Sequence, residues 1–165
     1  MLIKNAEALE RFEKVDTMVV DKSGTLTEGK PRVTTVAAAA GFDELTVLSL
    51  CASLELPREH PLAAAIQAAA AGRKVTLLDV TNSASITGTG ASGTSGGRRV
   101  AVDNAALLED RGAPSADLEA RADALRREGA TALFVAVDDE PAGVTALADR
   151  IKVTTMAAPF SAFNR

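Results

Sequence analysis

The sequence is poor in the residues that several classes of function require. It has one cysteine, Cys51, and neither tryptophan nor tyrosine among its 165 residues. A lone cysteine excludes an intramolecular disulfide and a thiolate metal cage, and it fits a reducing compartment. With a net charge of -4 and no cluster of lysine and arginine, the chain also lacks the basic groove and the stacking aromatics that nucleic-acid binding needs. We therefore expect no nucleic-acid partner.

Long apolar runs are missing as well. The Ala-rich run from Leu62 to Gly72 is interrupted by Gln67 and is shorter than the roughly 18 residues that a membrane-spanning helix needs. The N-terminal residues lack the basic flank and apolar stretch of a secretory signal. The chain is 47% hydrophobic and 24% charged, which is the balance of a globular protein. We therefore expect a soluble chain with the core of one ordinary domain.

Hydrophobic periodicity predicts short helices that alternate irregularly with strands. Helices are predicted over 4–13, 43–54 (with Leu45, Leu48, Cys51 and Ala52 on one face), 61–72, 104–110 and 117–127. Strands are predicted over 15–20, 33–36, 75–80, 83–87 and 98–102, and a hairpin over 130–137 and 141–147. The glycine-rich stretch 88–97 separates two strands, and 156–165 is predicted to be a frayed tail. Because this order lacks regular βαβ alternation, the predicted fold class is α/β to α+β, an antiparallel sheet flanked by helices.

A run of seven polar and turn-forming residues follows the first predicted strand. It consists of Asp21-Lys22-Ser23-Gly24-Thr25-Leu26-Thr27. A carboxylate at the end of a buried strand, followed by a tight turn of backbone N–H groups and hydroxyls, suits a nucleophile beside a phosphate cradle. A strand followed by an ordinary polar turn is the alternative for an isolated aspartate.

The run resembles the phosphorylation motif of P-type ATPases, with Ser23 where that family has threonine. The resemblance implies that Asp21 accepts the γ-phosphoryl group of ATP and is one ligand of Mg²⁺. It also implies that Lys22 supplies positive charge and that Thr25 contacts the phosphate. Haloacid-dehalogenase-like phosphatases share the nucleophile but carry a second aspartate two residues on, as general acid and base. Ser23 cannot do that work, which favours a longer-lived aspartyl phosphate and a pump.

A second pattern surrounds His60, the only histidine. At the start of a predicted helix the macrodipole disfavours the protonated ring, and by itself a surface capping residue explains this histidine well. The segment Glu59-His60-Pro61 resembles the Ser-Glu-His-Pro hallmark of the nucleotide-binding domain of heavy-metal-transporting P-type ATPases, with Arg58 in the serine position. The resemblance implies that Glu55 contacts the adenine and that His60 helps to fix the nucleotide.

Glycines at 88 and 90 form a third, weaker pattern. Glycine lets backbone N–H groups approach a phosphate, although glycine-rich hairpin loops are common. The pattern does not open a helix, which disfavours dinucleotide binding. In the resembling pumps a Gly-x-Gly lines the ATP cleft, which implies that role for Gly88 and Gly90. Asn104 matches their nucleotide-contacting asparagine, and Asp103 replaces a glycine beside it, where a carboxylate would repel a triphosphate.

The resemblance also divides the chain into parts. Residues 1–33 correspond to the N-terminal part of a haloacid-dehalogenase-like phosphorylation domain and 34–148 to an ATP-binding domain. Residues 149–165 correspond to the hinge and the return to the phosphorylation domain. In that hinge Asp149 is retained, and Arg150 replaces the proline of the Asp-Pro-x-Lys pattern.

The expected function is therefore that of the ATP-binding portion of a heavy-metal, copper-type P-type ATPase. The copper assignment rests on the resemblance of Leu2-Ile3-Lys4-Asn5-Ala6-Glu7 to copper-type members of that family. The implied cofactors are ATP and Mg²⁺. The implied partners are ATP or ADP, the rest of the phosphorylation domain, an actuator domain and transmembrane helices, with the chain on the cytoplasmic side of a cell membrane. Because no Thr-Gly-Asp loop occurs before Arg165, we expect nucleotide binding without turnover. A stand-alone, non-catalytic nucleotide-binding or regulatory module is the alternative, and a phosphatase is a further one.

Overall fold

One antiparallel sheet organises the molecule. A computed structural model describes residues 14–17, 19–86, 90–103 and 116–153, with the backbone alone for Ser23, Ile86 and Asp103. Within these residues six strands pair in the order β1-β6-β5-β4-β3-β2. The strands are β1 (Arg32–Ala38), β2 (Val80–Ile86), β3 (Gly90–Ser95), β4 (Arg98–Asp103), β5 (Thr131–Val137) and β6 (Glu140–Ala148). The same residues contain the α-helices α1 (Glu44–Glu55), α2 (Pro61–Gly72) and α3 (Ala116–Arg127).

The two faces of the sheet carry different helices. On β5, Val135 and Val137 belong to the core that α1 and α2 form with the sheet, whereas Phe134 and Ala136 pack with Leu118 of α3. Successive side chains of a strand point to opposite faces, so α3 lies on the face opposite to α1 and α2. The predicted class, an antiparallel sheet flanked by helices, is confirmed.

Both helices near the predicted nucleotide site begin where the sequence indicates. The Asp43 carboxylate accepts from the N–H groups of Leu45 and Thr46, each at 3.0 Å, and so caps α1. His60 caps α2, and Pro61 is its first residue. The predicted buried face of α1 is wrong at Leu45, which is 53% exposed. Leu45 lies in the first turn, and burial between the sheet and α2 begins only at Val47.

Two predicted strands are wrong. Residues 15–17 and 19–20 form no strand, and Val19 is 95% exposed. A strand needs a hydrogen-bonded neighbour, and in the part of the chain that the structure describes these residues pair with none. Residues 75–79 form none either, because pairing with β3 starts only at Val80, opposite Ser95. Val80 and the strand predicted from residue 83 onward thus belong to one strand, β2.

The glycine-rich stretch holds a strand that periodicity does not reveal. β3 pairs with β2 on one side and with β4 on the other. Its sequence shows little alternation, because a glycine takes the place of a large inward side chain. A Cβ on Gly93 would lie 2.8 Å from Val80 Cγ1 and 2.9 Å from Leu54 Cδ1.

The helices predicted over 4–13 and 104–110, and the tail over 156–165, lie outside the described residues.

The helix predicted over 117–127 and the hairpin predicted over 130–137 and 141–147 are confirmed as α3 and as β5 with β6. At Gly143 of β6, the sheet and α1 approach each other closely. A Cβ there would collide with the carbonyl oxygen of Ala37 on β1 and lie 2.9 Å from Val47 Cγ2 on α1. Glycine at this position therefore lets α1 lie directly on the β1–β6 pair.

Replacing Gly143 with alanine is expected to destabilise the fold by about 2 kcal/mol, because the backbone of β1 must move to admit the methyl group. Urea unfolding followed by circular dichroism measures this. Gly72→Ala is the matched control, since a Cβ at Gly72 meets nothing within 4 Å. Equal midpoints for the two variants would contradict the close approach at Gly143.

Candidate functional site

The predicted phosphorylation motif forms one wide turn, Lys22–Leu26, directly after Asp21. Its end is closed by Thr27, whose N–H donates to the Lys22 carbonyl at 3.1 Å and whose Oγ1 accepts from Gly24 N at 3.1 Å. Gly24 has a φ of 76°, a conformation that favours glycine. Thr27 is fully buried, whereas Asp21 is exposed. The turn thus has its own internal support and leaves the candidate nucleophile in contact with solvent.

Asp149 joins this motif to the segment that leaves β6. Its Oδ2 accepts from the Thr27 hydroxyl and from Gly29 N at 2.8 Å, and its Oδ1 accepts from Lys30 N at 3.0 Å. The Thr27 hydroxyl first, and then these backbone N–H groups, hold the pKa of the Asp149 carboxyl below its ordinary value. Both carboxylate oxygens are therefore engaged in binding residues 27–30.

Backbone and lysine contacts reinforce the same junction. Glu28 N donates to the Arg150 carbonyl at 2.8 Å, and Lys152 N donates to the Leu26 carbonyl at 2.9 Å. The Lys152 ammonium donates to the carbonyls of Gly24 and Thr25 at 2.6 and 3.1 Å. The segments that enter and leave the sheet thus form a short antiparallel pair, which we call the clasp (residues 26–30 and 149–152).

A cleft of about 440 Å³ lies between this turn and the start of α2. Lys22 and Gly24 line it from the motif, and His60 and Pro61 line it from α2. The Lys22 ammonium donates to the Gly129 carbonyl at 2.9 Å and so closes one wall. Of the three predicted catalytic residues, the structure places Lys22 in the wall of the cleft and leaves Asp21 and Thr25 outside it.

His60 caps the N-terminus of α2 through one hydrogen bond. Its Nδ1 accepts from Leu62 N at 3.2 Å. This contact uses Nδ1 and leaves Nε2 outside the helix cap. The capping role and a ligand-binding role are compatible, because they use different nitrogens.

Glu55 and Gly90 are brought together by a residue to which the sequence assigns no role. Arg58 Nη1 lies 3.6 Å from Glu55 Oε1, and Arg58 Nη2 donates to the Gly90 carbonyl at 2.7 Å. Glu55 is only 7% exposed, and burial raises its pKa, opposed by the charge of Arg58 and then by that of His60. The sequence holds no signal for this contact, because it depends on the start of β3 lying against the end of α1.

The predicted nucleotide-binding residues thus fall into two groups. The structure gathers Glu55, His60 and Gly90 on the side of the molecule where α1 ends and α2 begins. Gly88 and Asn104 lie outside the described residues, and their roles stay predictions. No helix in the described part of the chain combines the length and apolarity needed to cross a membrane.

Comparison with known proteins identifies the family. A family model described as haloacid dehalogenase-like hydrolase matches residues 15–161. The chain belongs to this family. Within it, a copper-transporting P-type ATPase of Rhizobium leguminosarum bv. viciae is 51% identical over 158 residues, which make up 96% of this chain and 19% of that protein. The resemblance to P-type ATPases predicted from the motifs is confirmed.

Solved structures agree with the sequence relatives. The crystal structure of a zinc-transporting PIB-type ATPase matches with a TM-score of 0.71 and 31% identity, over 87% of this chain and 23% of that one. The catalytic domain of the CPx-ATPase CopB-B, described in terms of its conformational changes on nucleotide binding, matches with a TM-score of 0.64 and 25% identity, over 92% and 51%. This haloacid-dehalogenase-like chain spans about a fifth of the length of the curated relatives it matches.

Replacing Asp149 with asparagine is expected to loosen the clasp. An amide has one acceptor oxygen in place of two charged ones, so the amide protons of Gly29 and Lys30 should exchange faster in the variant at pH 7. Because the folded pKa lies below the unfolded one, the stabilisation by Asp149 is present above the ordinary aspartate pKa and is lost as the pH falls through the lower, folded value.

The wild type should therefore have a higher Tm than Asp149→Asn at pH 7, and the two Tm values should converge in acid below about pH 4. Thermal unfolding at a series of pH values measures this. Asp16→Asn, at an exposed aspartate, is the control. A Tm difference that stays constant down to about pH 2 would show that the carboxylate charge is not what holds the clasp.

Proposed function

We propose that this chain is the ATP-binding cytoplasmic portion of a heavy-metal-transporting P-type ATPase of the copper type. Such a pump couples ATP hydrolysis, through an aspartyl phosphate, to the transport of a cation. One observation carries the proposal: Lys22 of the phosphorylation motif and His60 of the Glu59-His60-Pro61 motif line the same cleft. The copper assignment is supported by the relative that is 51% identical.

The proposed boundary between the two domains lies at the clasp. Residues 34–148 form the nucleotide-binding domain, which agrees with a six-stranded sheet that begins at Arg32 and ends at Ala148. Residues 1–33 and 149–165 belong to the phosphorylation domain. Val19, Ile151 and Val153 are 95%, 54% and 80% exposed. Exposed apolar side chains at Ile151 in the clasp and at Val19 and Val153 beyond it support a partner surface formed by the rest of that domain.

The cleft residues suit a nucleoside triphosphate. The Lys22 ammonium lies at the Gly129 carbonyl in the wall of the cleft, and the Lys152 ammonium lies at the motif turn. Both would attract the phosphates. His60 offers the ring nitrogen Nε2, which the helix cap does not use. The Asp149 carboxylate also lines the cleft, but both of its oxygens are held by donors of the clasp, which offsets its repulsion of an anion.

Asp21 is the proposed acceptor of the phosphoryl group that bound ATP supplies. It is exposed, stands directly before the turn, and is followed two residues later by Ser23 rather than by a second carboxylate. Ser23 therefore disfavours the phosphatase alternative, which needs a general acid and base at that position. Asp21 is also a proposed ligand of Mg²⁺, which it would share with residues of the rest of the phosphorylation domain. Among the described residues no three His, Cys, Asp or Glu side chains come together as a metal site.

Replacing His60 with alanine is expected to weaken ATP binding by roughly 1 to 2 kcal/mol, which is about five- to thirtyfold in Kd, through loss of one or two hydrogen bonds. Isothermal titration of the chain with ATP and ADP measures this. His60→Asn separates the two roles of the residue, because asparagine still caps a helix but has no imidazole.

We expect the asparagine variant to bind as weakly as the alanine variant while unfolding at the wild-type temperature. Wild-type affinity in His60→Asn would show that the cap is the whole role of His60. Wild-type affinity in both variants would remove the residue from the site and would count against the shared cleft as the nucleotide site.

In a pump that contains this chain, radioactive phosphate from ATP labelled at its γ-phosphate should become bound at Asp21. An acyl phosphate is stable in acid and is released by hydroxylamine. Asp21→Asn should abolish the labelling, because an amide is too poor a nucleophile to replace the carboxylate, and Asp16→Asn should leave it unchanged. Full labelling of the Asp21→Asn pump would exclude the proposed acceptor, and a non-catalytic module would show no label in either protein.

A further inference from the structure

We propose that Arg58 is a positioning residue for recognition of the purine. Its guanidinium ties the carboxylate of Glu55 to the first residue of β3 and holds it as an acceptor for the amino group of an adenine base. This inference rests on the proposed function. It gives a role to a position at which the resembling Ser-Glu-His-Pro motif has a serine.

The geometry requires a long, two-armed cation at this position. The Arg58 N–H donates to the Glu55 carbonyl at 3.1 Å, which fixes the turn at the end of α1. From there one arm of the guanidinium reaches Glu55 Oε1 at 3.6 Å and the other reaches the Gly90 carbonyl at 2.7 Å. The two arms belong to one rigid plane, so the position of β3 and the position of the carboxylate are set together. A serine side chain is too short to span these two groups.

The charge of Arg58 also opposes the effect of burial on the pKa of Glu55. The Glu55 side chain is 9% exposed, and burial favours its neutral form. Three titratable groups face it: Arg58 on its own turn, His60 at the start of α2, and Cys51 one turn earlier on α1. From β3, the neutral Gly90 carbonyl faces Arg58.

Only Arg58 among these groups carries a positive charge at every pH in the working range. The charge of His60 lowers the pKa of Glu55 less than the charge of Arg58 does. Burial raises the pKa of the Cys51 thiol to about 12, with a smaller contribution from Glu55, so that thiol stays protonated. An ionised Glu55 is an acceptor only, which matches the donor character of an adenine amino group. A protonated Glu55 would present a donor and lose this match.

Two variants of Arg58 separate charge from geometry. Arg58→Gln keeps a donor but removes the charge, and Arg58→Lys keeps the charge but loses the rigid fork. Arg73→Gln is the control, since Arg73 is an exposed arginine at the end of α2. The first measurement is the pH titration of the Glu55 carboxyl carbon by ¹³C NMR without nucleotide. The second is the Kd for ATP and for GTP between about pH 6 and about pH 8.

We expect the titration midpoint of Glu55 to move to higher pH in Arg58→Gln and to stay near the wild-type value in Arg58→Lys and Arg73→Gln. The phosphates of ATP titrate in the same way in both measurements, so their effect cancels in the ratio of variant to wild-type Kd. For Arg58→Gln it should rise as the pH falls, reaching about five- to tenfold at about pH 6. The same ratio for GTP should be smaller, because guanine has a carbonyl where adenine has the amino group.

Three results would overturn the inference. They are an unchanged Glu55 midpoint in Arg58→Gln, a Kd ratio that is the same at every pH, and equal ratios for ATP and GTP. The last two would leave Arg58 at most a structural role. If the wild-type chain binds neither nucleotide, the proposed function fails instead. If the wild-type chain binds ATP and Arg58→Gln keeps the wild-type Glu55 midpoint and Kd values, the role of Arg58 is overturned and the proposed function is not.

Discussion

The carboxylate of Asp149 controls how the two halves of the site meet. The chain enters the sheet after Lys30 and leaves it before Asp149, and this one side chain binds the donors of Thr27, Gly29 and Lys30. This junction holds the end of the motif turn against the sheet, and Lys22 is fixed in addition by its contact with the Gly129 carbonyl. Two chain segments meet in the clasp, so the hydrogen bonds of a few groups decide the orientation of the phosphorylation motif against α2.

The nucleotide side is held together by a different kind of interaction. Glu55 is a nearly buried carboxylate, and removing an ion from water is costly unless a partner compensates. Arg58 provides that partner and uses its second arm to bind the backbone of β3. One part of the cost of burying Glu55 is therefore offset by a contact that also aligns α1 with the sheet. Burial disfavours the ionised form of Glu55 because it removes water from the carboxylate. For the same reason the ionised carboxylate would be a strong acceptor for a ligand.

Much of the fold and part of the site could be predicted from local sequence. The carboxylate of Asp43 and the His60-Pro61 pair mark helix starts, because capping depends on a few adjacent residues. The hairpin β5–β6 follows from alternation on both sides of Asp138 and Asp139. β3 was not predictable in this way. Gly93 breaks its alternation, and it is glycine because Leu54 and Val80 leave no room for a side chain.

The order of the amino acids is enough to establish the class of fold, the family and the chemical identity of the candidate groups. Those properties follow from composition, from capping and turn residues, and from short runs such as Asp21–Thr27. Three-dimensional packing determines which groups come together. His60 and Lys22 line one cleft. Arg58 contacts Glu55 and Gly90, and Asp149 binds Thr27. Packing also leaves residues 15–17 and 19–20 outside any strand of the described chain. These outcomes depend on contacts between residues far apart in the chain, and local patterns carry no information about such distances.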